Sequence, residues 1–171
     1  MLIYLVGYMA SGKTYTGPRL AEALGYGFID LDEMFENKYR ISIQKFFHKY
    51  GESAFRPLER ELLHSTFQLE RHVISTGGGT ACFFDNMQLM NEHGLTVYLK
   101  QSAEALFQRL KLSKKPRPLI KNGRDEELRQ QIEDHLAKRT PYYEQARIIV
   151  DAAIEVPRLT DIIRMYPGFG D

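Results

Sequence analysis

Short apolar segments alternate with longer amphipathic stretches along the 171-residue chain. Each apolar segment is followed by turn residues or by a helical pattern, which is typical of buried parallel strands. The pattern predicts strands at residues 2–6, 28–31, 73–75, 96–99 and 147–150. It predicts helices at residues 13–24, 32–50, 52–70, 83–92, 103–110, 125–146 and 156–164.

This alternation predicts an α/β fold with three layers, in which helices cover both faces of a five-stranded parallel sheet. The sequence has no internal repeat, low-complexity segment or linker, so we expect a single domain over residues 1–171. A chain of this length buries roughly two-thirds of its unfolded surface, which is enough for a stable core.

Composition narrows the possible partners. The formal net charge is +1, which offers no strong field for nucleic acid or anionic lipid, and the apolar runs are too short to cross a bilayer. Cys82 is the only cysteine and cannot form an internal disulfide, and the first ten residues do not have the pattern of a signal peptide. We therefore expect a cytoplasmic monomer that binds small molecules, with no nucleic-acid or membrane partner.

The segment between Gly7 and Thr14 reads GYMASGKT and matches the phosphate-binding pattern G-x-x-x-x-G-K-[ST] between a strand and a helix. Such a loop surrounds phosphate oxygens with backbone N–H groups at a helix N-terminus. Lys13 would reach the outer phosphates, and the Thr14 hydroxyl would face Mg²⁺. The predicted nucleotide-binding residues of the loop are Gly7, Ala10, Ser11, Gly12, Lys13, Thr14 and Tyr15. The alternative is a glycine-rich turn that binds nothing.

The loop alone does not distinguish a kinase from a GTPase or a motor protein. The chain has no N-K-x-D motif of the kind that reads guanine, and it lacks the long apolar runs ending in D-E of motor and transporter ATPases. A small phosphotransferase that binds a nucleoside triphosphate is the class that remains.

Two carboxylates follow the second predicted strand in the sequence FIDLDE. Ligands of open α/β sheets gather at the C-terminal ends of the strands. If Asp30 and Asp32 both lay on an extended strand, their side chains would point the same way, one toward Mg²⁺ and the other toward an acceptor hydroxyl. The alternative is that Asp32 only caps the next helix.

Two further segments suggest an acceptor site. Arg56 precedes Glu59 by three residues, so on a helix the carboxylate could orient the guanidinium for a bidentate grip on a substrate carboxylate. An exposed helical ion pair is the alternative. The consecutive glycines Gly77–Gly79 after a predicted strand indicate that the backbone closely approaches something bound, since a plain flexible turn seldom needs three glycines.

Residues 111–124 contain six basic residues, two prolines and no aromatic residue. The segment lacks an apolar period and predicts a mobile surface loop, with Arg117 held between two prolines. The alternatives are a merely solvated loop or a weak nucleic-acid patch.

Together these motifs resemble the shikimate kinases, a family within the nucleoside-monophosphate-kinase group of P-loop proteins. The phosphate loop, DLD, GESAFR..E, STGGG, RPL and RTPYYEQA occur in the family's order and at about its spacing. The resemblance implies a shikimate site on helices within residues 32–62 and on nearby segments. The residues that would bind shikimate are Asp32, Arg56, Arg139 and the three glycines, Gly78 above all. The resemblance further implies that residues 111–124 are a lid whose Arg117 reaches the transferring phosphate, that Arg109 stacks on adenine, and that Asp30 lies near Mg²⁺.

The implied reaction is transfer of the γ-phosphoryl group of ATP to the C3 hydroxyl of shikimate, with Lys13, Asp32 and Arg117 as catalytic residues. The alternatives are a kinase for another polyol acid, such as gluconate, and a non-catalytic P-loop module that regulates a partner.

Three residues depart from the family pattern. Ala10 replaces a common glycine and fits if its φ is negative, Tyr15 replaces a small hydroxyl residue and should face the core or the nucleotide edge, and Pro18 should remove one hydrogen bond from the first helix.

Overall fold

The computed structural model describes residues 1–113 and 124–170. Over these ranges the chain forms a five-stranded sheet in which all neighbouring strands pair in parallel, in the order β2-β3-β1-β4-β5. The strands are β1 (Leu2–Val6), β2 (Gly27–Asp30), β3 (His72–Ser75), β4 (Gly94–Lys100) and β5 (Ile148–Asp151). The predicted fold class is confirmed.

The helices of the described residues are α1 (Lys13–Leu24), α2 (Leu31–Tyr39), α3 (Ile43–Tyr50), α4 (Glu52–Ser65), α5 (Asn86–His93), α6 (Ala103–Leu112), α7 (Asp125–Tyr143) and α8 (Val156–Arg164). Two short 3₁₀ turns, Thr66–Gln68 and Thr80–Cys82, flank β3. No helix in residues 1–113 or 124–170 is long and apolar enough to cross a membrane.

Three predicted helices end earlier than expected, and the one predicted at residues 125–146 ends at Tyr143. The predicted helix 32–50 is two helices, because Arg40 adopts a left-handed φ of 55° and Ser42 then caps α3 by accepting a hydrogen bond from the Lys45 N–H. The predicted helix 52–70 stops at Ser65, where the hydroxyls of Ser65 and Thr66 donate to the backbone carbonyls three residues earlier.

Both faces of the sheet are buried, as a parallel sheet requires. Along β1 the side chains alternate: Leu2, Tyr4 and Val6 join one apolar cluster, and Ile3 and Leu5 join the other. The first cluster is covered by α4 to α7, and the second by α1 and α8. A third, mainly aromatic cluster lies among α2, α3 and α4 and contains Phe35, Phe46, Phe55 and Leu62.

The parallel strands bring the predicted motifs to one edge of the sheet. The phosphate loop follows β1, Asp30 ends β2, and the glycine segment follows β3 by one residue. The loop of residues 152–155 follows β5. The candidate site therefore lies at the C-terminal ends of the strands, where ligands of open α/β sheets bind.

Candidate active site

Two glycines allow the backbone of the phosphate loop to adopt its conformation. Gly7 has φ 148°, and a side chain there would begin 2.9 Å from both the Leu99 carbonyl oxygen and Ser11 Oγ. Gly12, with φ 105°, is the residue immediately before α1. These positions explain why the pattern specifies glycine at the two ends of the loop.

Ala10 differs from the expectation. Its φ is 64°, so the condition that alanine fits the loop with a negative φ is not met. Closure of the loop places residue 10 in the left-handed region, which costs an L-residue roughly 1 kcal/mol or more. Ala10 is therefore a point of backbone strain inside the loop.

The side chain of Lys13 folds back against the backbone of the phosphate loop. Only 7% of the residue is exposed, and Nζ donates to the carbonyls of Gly7, at 2.6 Å, and Tyr8, at 2.9 Å. Its ammonium group is thus held beside the N-terminus of α1, where the helix dipole also favours an anion.

Asp30 and Asp32 do not lie on one extended strand, which differs from the prediction. Asp30 is the last residue of β2 and caps α2, with its carboxylate accepting from the N–H groups of Asp32 and Glu33 at 2.9 and 3.3 Å. Asp30, not Asp32, is the helix cap, and Asp32 lies in the first turn of α2. The backbone turns between them because the helix begins at Leu31. Both residues nevertheless line one cavity with Thr14, whose hydroxyl donates to Asp30 at 3.3 Å.

Arg56 is held by two carboxylates, as the sequence suggested for one of them. NH1 donates to Glu59 at 2.8 Å, and Nε and NH2 donate to Glu52 at 3.1 and 2.8 Å. Burial lowers the pKa of Arg56, but the charges and hydrogen bonds of Glu59 and Glu52 outweigh burial and raise it. The guanidinium also lies 4.1 Å from the ring centre of Phe83. Its orientation is therefore fixed before any ligand binds.

The three glycines lie where side chains would collide with the site itself. A Cβ at Gly77 would lie 2.9 Å from a Glu59 oxygen and 3.0 Å from an Asp32 oxygen. At Gly78 the nearest atom would be the Met9 nitrogen, at 3.0 Å, and at Gly79 it would be an Arg56 nitrogen, at 2.4 Å. The sequence predicted close backbone approach to a bound ligand, and the atoms that the three glycines approach in the structure are the protein's own, charged groups among them.

Arg139 on α7 is buried, with 8% of the residue exposed, and its NH1 atom has no hydrogen-bond partner within residues 1–113 and 124–170. Its guanidinium lies 5.5 Å from the ring centre of Tyr8, whose hydroxyl is 2.9 Å from His135 Nδ1. Burial and the charges of Arg139 and Lys138 lower the pKa of His135, so this ring is neutral at pH 7. A buried guanidinium nitrogen without a partner indicates a place for a ligand oxygen.

These groups line two adjoining cavities. One, of about 360 Å³, contains the phosphate loop, Thr14, Asp30 and Asp32. The other is lined by Ile43, Phe47, Phe55, Arg56, Glu59, the glycine segment and Arg139. Met9, Asp32 and Gly78 belong to both, so ligands in the two cavities would meet at Asp32.

A third cavity, of about 610 Å³, extends from Gly12 to residues 152–157 and includes Arg109 and Tyr15. Arg109 NH1 donates to the Ala10 carbonyl at 3.0 Å, so the side chain lies over the phosphate loop. Tyr15 is 63% exposed and lines this cavity, so of the two predicted environments the core is excluded. The predicted lid residue Arg117 lies outside the described residues.

Sequence reasoning missed Glu52 and Thr80. Glu52 precedes Arg56 by four residues on α4, which is a spacing that could have identified it. Thr80 donates to Glu59 at 2.6 Å across 21 residues of sequence, and no local pattern points to that contact.

Comparison with known proteins identifies the relatives of this chain. Residues 9–165 match the family model of shikimate kinase. Shikimate kinase of Parabacteroides distasonis is 49% identical over 150 residues, which cover 88% of this chain and 87% of the relative. The crystal structure of shikimate kinase from Bacteroides thetaiotaomicron superposes with a TM-score of 0.91 at 40% identity, covering 96% of this chain and 99% of that one. The Acinetobacter baumannii shikimate kinase in complex with shikimate gives a TM-score of 0.85 at 35% identity, covering 95% of this chain and 89% of that one.

Proposed function

The chain belongs to the shikimate kinase family, and we propose that its adjoining cavities hold ATP and shikimate side by side. It is an ATP:shikimate 3-phosphotransferase, which moves the γ-phosphoryl group of ATP to the C3 hydroxyl and forms shikimate 3-phosphate for aromatic amino acid biosynthesis. The observation that carries the assignment of the two cavities is their meeting at Asp32, between a phosphate loop and a pair of buried arginines.

The acceptor cavity suits a small ring that has one carboxylate and several hydroxyls. Arg139 offers an unpartnered guanidinium nitrogen, and Arg56 offers a second guanidinium already oriented by Glu52 and Glu59. Two guanidinium groups bind a carboxylate better than any neutral donors can. Gly78 and Asp32 complete the other side of the cavity, where the hydroxyls would lie. This arrangement favours shikimate, because its single carboxylate would pair with the two guanidinium groups and its uncharged hydroxyls would face the other side of the cavity.

The phosphate loop supports ATP as the donor. Phosphate oxygens would replace the Gly7 and Tyr8 carbonyls as partners of Lys13 Nζ. The ammonium group would then stabilise the negative charge that develops on the phosphate oxygens during transfer. The base and ribose would occupy the third cavity, beside Arg109 and Tyr15.

Thr14 and Asp30 fit a magnesium site. Their side-chain oxygens are 3.3 Å apart at the phosphate cavity, and oxygen is the ligand that Mg²⁺ prefers. The described residues contain no cluster of three or more metal-binding side chains, which agrees with an ion held by one or two protein oxygens and by the substrate phosphates. When bound, the ion would neutralise charge on the phosphate oxygens.

Asp32 would orient the acceptor hydroxyl, a role that its position where the two cavities meet supports. Arg117 would add a positive charge at the transferring phosphate, as the family resemblance implies, and the lid predicted at residues 111–124 would carry it. Residues 114–123 of that segment lie outside the described residues, and Lys111 and Leu112 belong to α6. The remaining expectations from the sequence are a single kinase domain over residues 1–171, substrate-binding helices within residues 32–62, and a cytoplasmic monomer.

A coupled assay of ADP release with and without shikimate tests this function. We expect release to depend on shikimate and not on gluconate. Lys13→Ala should abolish transfer, because it removes a charge from the outer phosphates, while far-UV circular dichroism and shikimate binding by calorimetry stay unchanged. Lys38→Ala, which alters an exposed lysine on α2, is the control and should keep wild-type turnover. Wild-type turnover of Lys13→Ala would refute the phosphate-loop assignment.

A further inference from the structure

Helix α7 carries Arg139 and Tyr143 one turn apart, so both side chains lie on the same face of the helix. Tyr143 is fully buried, and its ring packs 5.1 Å from that of Tyr98. Its hydroxyl donates a hydrogen bond to the Gly78 carbonyl, 65 residues away in sequence. Tyr143 therefore links α7 directly to the glycine segment of the site.

Gly78 is the point where three parts of the site meet. A side chain there would begin 3.0 Å from the Met9 nitrogen of the phosphate loop and 3.5 Å from Arg139 NH1. Gly78 also lines both adjoining cavities. A small displacement of this residue would change the distance between the glycine segment and Arg139, and with it the shape of the acceptor cavity that both line.

The Tyr143 hydroxyl stays a donor throughout the working pH range. Burial raises its pKa well above the ordinary value, although the charge and a hydrogen bond of Arg139 act in the opposite direction. The phenol thus keeps its hydrogen on the Gly78 carbonyl, and Gly78 is in turn the glycine of the segment that lies nearest Arg139 NH1 without being bonded to it.

We propose that Tyr143 is a positioning residue that fixes the Arg139 guanidinium relative to the Gly77–Gly79 segment, and thereby sets the affinity for the acceptor carboxylate. The inference rests on the proposed function of the acceptor cavity. It adds a role for a buried residue that touches neither substrate. Because Tyr143 ties Gly78 to the helix that carries Arg139, we expect its hydroxyl to act mainly on the acceptor side of the site.

Tyr143→Phe is the first test, because it keeps the ring and removes only the hydroxyl. We expect the KM for shikimate to rise roughly tenfold, as the loss of one buried hydrogen bond at the site would cause. The kcat and the KM for ATP should change less than twofold. A residue that only fills the core would instead lower stability without this selective change.

Tyr4→Phe is the matched control. Tyr4 is also fully buried, belongs to the same apolar cluster, and loses a comparable hydrogen bond, with the Thr66 hydroxyl at 3.1 Å. Urea unfolding should show similar destabilisation of both variants, but Tyr4→Phe should keep the wild-type KM for shikimate. Equal KM values in the two variants would overturn the inference.

A double-variant cycle tests whether Tyr143 acts through Arg139. If it does, Tyr143→Phe should have little further effect on the KM for shikimate once Arg139→Lys is present. Full additivity of the two effects would contradict the mechanism. If Tyr143→Phe fails to fold, replacing Tyr143 with 4-fluorophenylalanine fills the space of the hydroxyl without a donor, and an unchanged KM in that variant would again overturn the inference. A wild-type enzyme that does not respond to shikimate would refute the proposed function itself.

Discussion

At the scale of single residues, the two buried arginines of the acceptor cavity have opposite environments. Their exposed fractions are similar, 5% for Arg56 and 8% for Arg139. Arg56 donates to two carboxylates, whereas Arg139 NH1 has no partner among the described residues. Arg56 is therefore fixed in advance, and Arg139 has the larger need for a ligand oxygen, because an unpaired buried polar group is costly.

This difference predicts the effect of Arg139→Lys. An ammonium group cannot reproduce the planar fork of a guanidinium, so shikimate binding should weaken by roughly 1–3 kcal/mol while ATP affinity changes little. Isothermal titration with each ligand measures both. Arg60→Lys, which alters a partly exposed arginine paired with Asp85, should leave both affinities unchanged. An equal loss for the two ligands would place Arg139 at the nucleotide, and an unchanged shikimate affinity would remove it from the site.

Motif spacing brought most of the candidate residues to one edge of the sheet, but it could not supply backbone geometry. Lys13, Thr14 and the three glycines lie at the edge where the pattern placed them. The positive φ of Ala10 results from closure of the whole loop, which no single residue determines. The capping role of Asp30 depends on α2 beginning one residue earlier than predicted, and sequence patterns fix helix ends least well.

At the scale of secondary-structure elements, three helices of the site contain an internal proline: Pro18 in α1, Pro57 in α4 and Pro141 in α7. Pro18 deprives the Thr14 carbonyl of its helical hydrogen bond, as the sequence predicted. Helix α1 nevertheless continues from Lys13 to Leu24. Thr14 and Pro18 are both exposed, so water can reach this part of the helix.

Pro18→Ala should therefore stabilise the protein. The variant regains one helical hydrogen bond and loses the entropic restriction of the unfolded chain, for a net gain of roughly 1–2 kcal/mol. Urea unfolding measures the change, and turnover should stay within twofold of wild type. Pro57→Ala is the matched comparison, because Pro57 is also exposed and is likewise the sixth residue of its helix. Destabilisation by Pro18→Ala would show that the proline is needed for the geometry of the loop.

The order of elements was predictable because each buried strand and each amphipathic helix leaves its own period in the sequence. The break between α2 and α3 could not be predicted in this way. Ser42 caps α3, but position 45 holds a lysine where a capping box would have glutamate or glutamine, so the sequence signal for a helix start was weak. Arg40 gives no sign of its left-handed conformation, for which glycine or asparagine is usual.

At the scale of the whole molecule, the buried apolar residues of the described ranges form three clusters. Two cover the faces of the sheet, and the third is the aromatic cluster of α2 to α4. Ile43, Phe47 and Phe55, which belong to or pack against that cluster, also line the acceptor cavity, opposite Arg139 and the glycine segment. A ligand in this cavity would therefore contact the third cluster and the sheet edge together. Elements with a small separate core open at lower free energy than the main core does.

Hydrogen exchange should reveal this division. We expect amides of α3 to exchange faster than those of β1 in the free protein, because α3 packs on the small aromatic cluster and β1 is buried on both faces. Shikimate binds only the folded cavity, so at 100 times its Kd it should slow exchange in α3 and the start of α4, by up to about a hundredfold. Helix α5 contributes no residue to the acceptor cavity and serves as the internal control, with little change expected. Exchange in α3 that matches β1, together with no response to shikimate, would mean that the aromatic cluster opens only with the whole molecule.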